Sequence, residues 1–570
     1  MRIFKIVSLF LLVISMSCSS GLLEDHEQLT AQIIQFEKAE FKIVLEQDFG
    51  NPYDQRDIAV NMKLVSPKGD SLFLPCYFES GDSINSIWKA HFASREVGEY
   101  SYYFELLKNG EVISESSNGS FRAAASDNEG FLHENNLWTL KFDSGKPFRG
   151  IGENIGWEAR SFEDPKWTYD YLLPTLANNG ANFFRSWMSP FNFPLEWKKV
   201  RDTDRYSDTS EYFHPGGIQR LDEVIEMSDS LGLYMMLAFD SHNALMEENQ
   251  WEINSYNKSN GGPASTPTEF FTLEESREKY KNRLRYIVAR WGYSTSIGAW
   301  EFFNEIDNAM FTKSDSIIIP HKAVTSWHKD MSRYLKEIDP FDHVITTSVS
   351  HREVEGLYAL EDIDLNQMHV YRRTKQIPEE ILKYTRLYDK PFSFGEFGYE
   401  WDWNKDFSIM VEEKIHDYKI GLWYGMFHPT PILPMTWWWE FFDEKGMTSY
   451  FRGVAEINKH MLKAGNGSFE MLEISSGETE SYSVKSGETI YVYMVNHTSS
   501  EQKVTALIEN VLGVEVFKLE SYDPEHLIYT TIQEHLEKSD LIKLPELVLQ
   551  PFEELVLILS PSNLSDDPLK

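Results

Sequence analysis

The sequence predicts an α/β fold: a (β/α)8 TIM barrel flanked by an N-terminal β-sandwich and a C-terminal β-domain. Three observations predict it. Between about residues 130 and 465, eight short apolar runs alternate with amphipathic helical stretches, the pattern of parallel βα units. On either side of that stretch, short strand-like runs are separated by turn residues, as in small β-domains. The 570 residues also exceed one ordinary core, since domains mostly run to roughly 100 to 250 residues. Hydrophobic residues at 42% and charged residues at 25% place the chain among soluble globular proteins.

The first residues read as an address. Arg2 and Lys5 precede the apolar run Ile6–Met16, which is too short to span a bilayer and suits a signal peptide. The run ends in Ile14-Ser15-Met16-Ser17-Cys18, which resembles a bacterial lipobox. That resemblance implies removal of residues 1–17, a lipid on Cys18, export, and anchoring to the bacterial outer membrane with the cell surface as one location. Residues 18–35 then form a tether. Of the two cysteines, lipidation of Cys18 leaves Cys76 alone, so no disulfide is expected despite export.

Residues 36–125 carry strand-like runs at Phe41–Leu45, Val60–Val65 and Tyr100–Leu106, with turns at Pro67-Lys68-Gly69-Asp70, Gly81-Asp82 and Asn109-Gly110. With Asn51-Pro52-Tyr53, Trp88–Phe92 and Gly98-Glu99-Tyr100, the segment resembles the immunoglobulin-like module that often precedes the barrel in bacterial glycanases. The barrel, residues 130–465, has strand candidates at Phe148–Gly152, Asn182–Trp187, Leu233–Phe239, Ala299–Asn304, Val344–Ser348, Leu365–Val370, Phe392–Glu396 and Leu433–Trp438. Among the helices, Leu273–Trp291 has the clearest apolar stripe (Tyr280, Leu284, Ile287, Val288, Trp291), and Thr272 with Glu275 reads as its capping box. Residues 469–562 form the second β-domain, on runs such as Thr489–Val495 and Leu555–Leu559.

A barrel of this kind puts its chemistry at the C-terminal ends of its strands. The fourth candidate ends in Asn304-Glu305 and the seventh in Gly395-Glu396. Two carboxyl groups about 5 to 5.5 Å apart are what retaining glycosidic hydrolysis requires, one protonating the leaving oxygen and one attacking the anomeric carbon. An Asn-Glu pair closing strand four and a Glu closing strand seven resemble the catalytic positions of clan A glycoside hydrolases, especially family 5. The resemblance implies that Glu305 is the acid/base, Glu396 the nucleophile, and Asn304 the partner of the sugar 2-hydroxyl.

The same resemblance extends to further strand ends. Arg185, near the end of strand two, is similar to the family's arginine that hydrogen-bonds the nucleophile, and His369-Val370-Tyr371 to its His-x-Tyr, whose tyrosine contacts the nucleophile. A tryptophan at the end of strand eight forms the floor of the cleavage subsite. Alternation along Thr436-Trp437-Trp438-Trp439 leaves its face open between Trp438 and the pair Trp437 and Trp439, and Trp438 is taken as the floor. Asp240, His242 and Asn243 follow strand three, with His242 the sugar-contacting candidate. Trp157, Trp187, Trp401 and Trp403 could form stacking platforms around the rim. Glu301 shares the Glu305 face deeper in the barrel and, as a buried carboxylate, needs a cation; Glu400 reads as a loop residue.

No His-Glu-x-x-His, Cys-x-x-Cys, phosphate-binding Gly-rich loop or Gly-x-Ser-x-Gly occurs, so no cofactor is implied. A formal charge of −35 excludes nucleic acid as a natural partner, and membrane contact is expected only through Cys18. The partner expected is a β-linked polysaccharide or oligosaccharide, a mannan or glucan cut internally, with an exo-β-glycosidase or a non-catalytic surface glycan-binding protein as alternatives. The insert between Asn243 and Phe271 is expected to build one cleft wall.

Overall fold

The structure, a computed structural model, describes residues 23, 25–158, 165–201, 204–312, 315–509, 516–537 and 541–562. The signal-peptide and Cys18 expectations fall outside the described residues.

The N-terminal domain is a sandwich of a four-stranded and a six-stranded sheet. Strand Lys38–Glu46 alternates buried and half-exposed residues along its length, and its Phe41, Ile43 and Leu45 meet Trp88, Phe104 and Phe121 in one core. The tether expected at 18–35 is shorter than proposed. Asp25–Gln28 pairs antiparallel with Phe41–Val44, and Ile33–Ile34 pairs with Ala123–Ala124. Buried Leu23 and Ile33 explain the difference, since a solvated tether has no use for apolar residues that a core can take up.

The central sheet has seven parallel strands: β1 (Gly152–Asn154), β2 (Phe183–Trp187), β3 (Tyr234–Ser241), β4 (Ile297–Asn304), β5 (Ile345–Val349), β6 (Leu365–Tyr371) and β7 (Phe392–Gly398). Residues 431–437 bridge the two edges without forming a regular strand. Gly150 N–H donates to Pro431 O and Leu433 N–H to Gly150 O on one side; Phe397 N–H donates to Met435 O on the other. The ring is thus closed by the segment expected to be strand eight.

Strand one begins later than the apolar run suggests. Pro147–Phe148 instead pairs with Leu140–Lys141 in a three-stranded antiparallel sheet with Leu132–Glu134. Leu132, Leu140, Phe142 and Phe148 of this small sheet cluster with Phe183, Met236, Ala299 and Leu365, residues near the starts of the barrel strands, and so plug the end opposite the site. Gly152 is required where β1 meets β2, because a Cβ there would stand 1.6 Å from the Phe183 carbonyl oxygen.

Helix α1 (Glu274–Trp291) buries Tyr280, Leu284, Ile287, Val288 and Trp291. Its expected capping box is absent. Leu273 is the N-cap without a side-chain bond, and Thr272 closes the preceding short helix by donating to Thr268 O. The C-terminal domain packs on the barrel through several strands, among them Thr489–Val495, which is buried on both faces. Tyr491 and Tyr493 join the barrel's core, with Tyr493 stacked 6.0 Å from Trp423, while Ile490, Val492 and Met494 face Phe517 and Leu519 within the small domain.

Candidate active site

At the C-terminal mouth of the barrel lies a cleft of about 760 Å³, lined by residues that include Trp157, Trp187, His242, Glu305, Tyr371, Glu396 and Trp437. Glu305 follows the last residue of β4 and Glu396 lies within β7. Each offers a carboxylate oxygen that, with a ring nitrogen of His369, falls within a 4.8 Å group. Glu305 holds φ +52°, the left-handed region that costs a residue bearing a side chain about 1–2 kcal/mol. At this turn the chain leaves β4 and enters the short helix Ile306–Met310. The backbone there is fixed by Ser348 Oγ, which accepts from Glu305 N–H at 3.0 Å.

Arg185 organises the floor. Its Nε and Nη2 donate to both oxygens of Glu301 at 2.6 and 2.8 Å, its Nη1 donates to Glu396 Oε1 at 2.8 Å and Asn154 Oδ1 at 3.0 Å, and its Nη2 also donates to Asn304 Oδ1 at 2.7 Å. Arg185 and Glu301 are both fully buried, so Glu301 has the cation that a carboxylate at that depth needs. Because Arg185 holds the oxygen of Asn304, the Asn304 amide nitrogen is left buried with no hydrogen-bond partner, oriented as a spare donor.

The two carboxyls have different neighbours. Glu396 accepts from Arg185 and, at its other oxygen, from Tyr371 O–H at 2.6 Å. Glu305 accepts from the Asn308 amide at 2.8 Å, and His369 Nδ1 stands 3.0 Å from its Oε1. Burial raises the pKa of both. Burial also lowers His369 to about 4, so it enters the site as a neutral imidazole. Of the pair, Glu396 has the guanidinium and the phenol as donors to its charged form, so a proton shared between the two belongs on Glu305. Gly395 leaves the room this crowding needs, since a Cβ there would stand 2.8 Å from His369 Nε2.

The structure thus brings Arg185, Asn304, Glu305, His369, Tyr371 and Glu396 together, with His242 Nδ1 3.6 Å from Glu305 Oε2 at the rim. Trp438 is a correction. Trp437 lines the cleft, stacked 4.9 Å from Trp187, whereas Trp438 is turned into contact with Trp403, Phe407 and the Lys414 ammonium and donates its indole N–H to Glu400 O. Residues 431–437 are held by bridges at both edges, and the chain enters a short helix at Trp439, so the turn there decides which ring faces the cleft. Asp240 faces away from the cleft, bound to Arg283 and Tyr280. Glu400 caps the backbone of Trp401 and Asp402 and pairs with Arg372.

Asn308, Ser350, His351 and Arg373 also line the cleft and were not foreseen. Asn308 had a usable signal, standing one helical turn after Glu305; the other three lie in loops after strands five and six, where sequence gives no periodicity. The insert between Asn243 and Phe271 does not form the wall expected of it. Trp251, Tyr256 and Phe270 are buried in the core, and Asn243 is its one contribution to the lining.

Glu305, Glu396 and His369 are the group among the described residues whose ligand atoms lie close enough to hold a metal ion. Both oxygens of Glu396 are already engaged by Arg185 and Tyr371, so positive charge is supplied there by the guanidinium.

Residues 143–405 match the family model described as cellulase (glycosyl hydrolase family 5), and residues 32–106 match a domain of unknown function, DUF5060. Mannan endo-1,4-beta-mannosidase A of Podospora anserina is 22% identical over 267 residues, covering 41% of this chain and 65% of the relative. Mannan endo-1,4-beta-mannosidase F of Aspergillus clavatus is 30% identical over 177 residues, covering 27% and 36%. The matches therefore span less than two thirds of either relative. A solved structure from Bacteroides vulgatus, described as a candidate glycoside hydrolase, superposes with a TM-score of 0.64 at 16% identity, covering 93% of this chain and all of that one, which shows a shared fold. The stretch that matches the glycosyl hydrolase family 5 model, residues 143–405, contains β1 to β7 and both Glu305 and Glu396.

Proposed function

We propose that this chain hydrolyses a β-linked mannan internally and with retention of configuration. The observation that carries the reading is the pair of carboxyls within one 4.8 Å group, one bound by a guanidinium and a phenol and the other without either. That separation suits direct attack at the anomeric carbon and leaves no room for the water an inverting enzyme places between its carboxyls. In the first step Glu305 gives its proton to the leaving oxygen while the ionised Glu396 bonds to the anomeric carbon. Glu305 then takes a proton from water, which displaces Glu396. The Asn304 amide supplies a donor for the sugar's 2-hydroxyl, where a hydrogen bond strengthens in the transition state.

Mannan is preferred over glucan because the relatives matched by the barrel are mannosidases by name. Internal cleavage is preferred over exo action because the long insert packs into the core instead of across the groove. Export with a lipid on Cys18 belongs to the same proposal; palmitate labelling that survives Cys18→Ala would remove it. The deciding experiment is incubation of the purified chain with β-mannans, β-glucans, xylans and algal polysaccharides. Reducing ends with a rapid fall in mannan viscosity are expected. Binding without any reducing ends would instead identify a glycan-binding protein.

A further inference from the structure

A second cleft, of about 690 Å³, opens beside the catalytic one and shares Arg373 with it. It is built from the loop after β6 (Thr374, Lys375, Gln376), from Tyr399 directly after β7, from the helix Val411–Met426, and from Phe552 of the C-terminal domain. Two aromatic rings stand at its edge, Tyr399 at 39% and Phe552 at 52% exposure. Phe552 holds φ +58°, a region that bulky residues avoid, and its ring meets His416 edge-on at 5.7 Å. Thr374 and Asp417 are buried in the lining at 3% and 9% exposure and interact with one another. A cleft that combines two exposed aromatic rings with amide and carboxylate side chains such as Gln376, Glu412 and Glu413 suits a sugar ring, whose CH face covers a ring while its hydroxyls bond the polar groups.

We propose that this cleft is a second saccharide-binding subsite, formed jointly by the barrel rim and the C-terminal domain, that holds a neutral sugar unit of the same glycan whose backbone lies in the catalytic cleft. Arg373 lines both clefts, so the two adjoin and one glycan chain or its side branch could reach both. The lining carries both Arg and Lys side chains and the carboxylates of Glu412, Glu413 and Asp417, a mixture that suits uncharged hydroxyls better than a uronic acid. The C-terminal domain acquires a role beyond packing.

The inference rests on the reading of the chain as a β-mannan hydrolase, and the test separates the two. Phe552→Ala removes an exposed ring and leaves the catalytic cleft untouched. KM for galactomannan is expected to rise about fivefold, as the loss of one stacking contact implies, with kcat and the rate on a short aryl β-mannoside unchanged. An unchanged KM on the polymer, or an equal loss on both substrates, overturns the subsite. Affinity electrophoresis in galactomannan gels, run on Glu396→Ala with and without Phe552→Ala, reads binding without hydrolysis. Reduced retention of the double variant supports the subsite, whereas equal retention, or none for either protein, overturns it. A wild-type chain that cleaves no glycan overturns the hydrolase reading alone and leaves the gel to judge the cleft.

Discussion

Replacing Tyr371 by Phe removes one oxygen and keeps the ring, so it isolates one of the two donors that hold Glu396 ionised. The phenol donates at 2.6 Å to Glu396 Oε2, on a carboxyl that is 3% exposed. A hydrogen bond to a charged group in such a place contributes about 1.5–3 kcal/mol. One pKa unit corresponds to about 1.4 kcal/mol, so the carboxyl should rise by about 1 to 2 units. The sign follows from the role. In the proposed mechanism Glu396 attacks only when ionised, so the acid limb of the kcat/KM profile would report its proton, and a higher pKa would move that limb toward neutrality. The assay is kcat/KM against pH on an aryl β-mannoside with a good leaving group, with the thermal midpoint recorded to confirm an intact fold. An acid limb that stays in place, or moves to lower pH, refutes the assignment of Tyr371 to the charged form of the nucleophile.

Other outcomes follow from the same geometry. Glu396→Ala should lower hydrolysis of mannan by four or more orders of magnitude, on the order of what loss of a nucleophile costs other covalent enzymes; wild-type-like release of reducing sugar would remove the mechanism. Glu305→Ala should cost about 10²- to 10⁴-fold on mannan and far less on activated aryl glycosides, which need little protonation, and an equal loss on both would count against Glu305 as the acid. Glu301→Gln leaves the buried Arg185 short of its bidentate partner and should destabilise the fold by about 3–5 kcal/mol in urea titrations; a loss under about 1 kcal/mol would show that Glu396 alone satisfies the guanidinium. Trp437→Ala should raise KM for mannan up to about tenfold through lost stacking, while Trp438→Ala should act through the loop bearing Trp403. The reverse ranking would restore Trp438 to the floor.

The barrel and the two glutamates were legible because each rests on a short local signal repeated in order. Parallel strands buried on both faces read as apolar runs, and the residue ending a run falls at the mouth whatever the distant packing does. That logic placed Glu305, Glu396, Arg185 and the His369–Tyr371 pair. It failed where backbone geometry departs from a regular strand. The segment 431–437 closes the ring by bridges, so strict alternation gave no means of choosing among Trp437, Trp438 and Trp439. Phe148 was drawn into the wrong strand because an apolar residue plugging a barrel looks like one lining it. Leu23 and Ile33 were read as a tether because the strands they accompany are too short to show a period. The second cleft had no signature at all, being made by residues from 372 to 552 that meet only in the folded chain.

The charges around Arg185 explain why the site tolerates two carboxyls so close together. Glu301 takes both Nε and Nη2 of the guanidinium, so most of that positive charge is already matched within the barrel floor. The remaining Nη1 bond to Glu396 favours its ionised form without holding it so firmly that it ceases to be a nucleophile. A second negative charge on Glu305 would then meet an ionised neighbour, with neutral His369, the Asn308 amide and, 3.6 Å away, His242 Nδ1 beside it. Both pressures, burial and a like charge nearby, hold the proton on Glu305. Under the proposed mechanism, the proton that Glu305 gives is therefore kept in place by the ionisation of Glu396, and is released most readily when that charge is spent on the anomeric carbon.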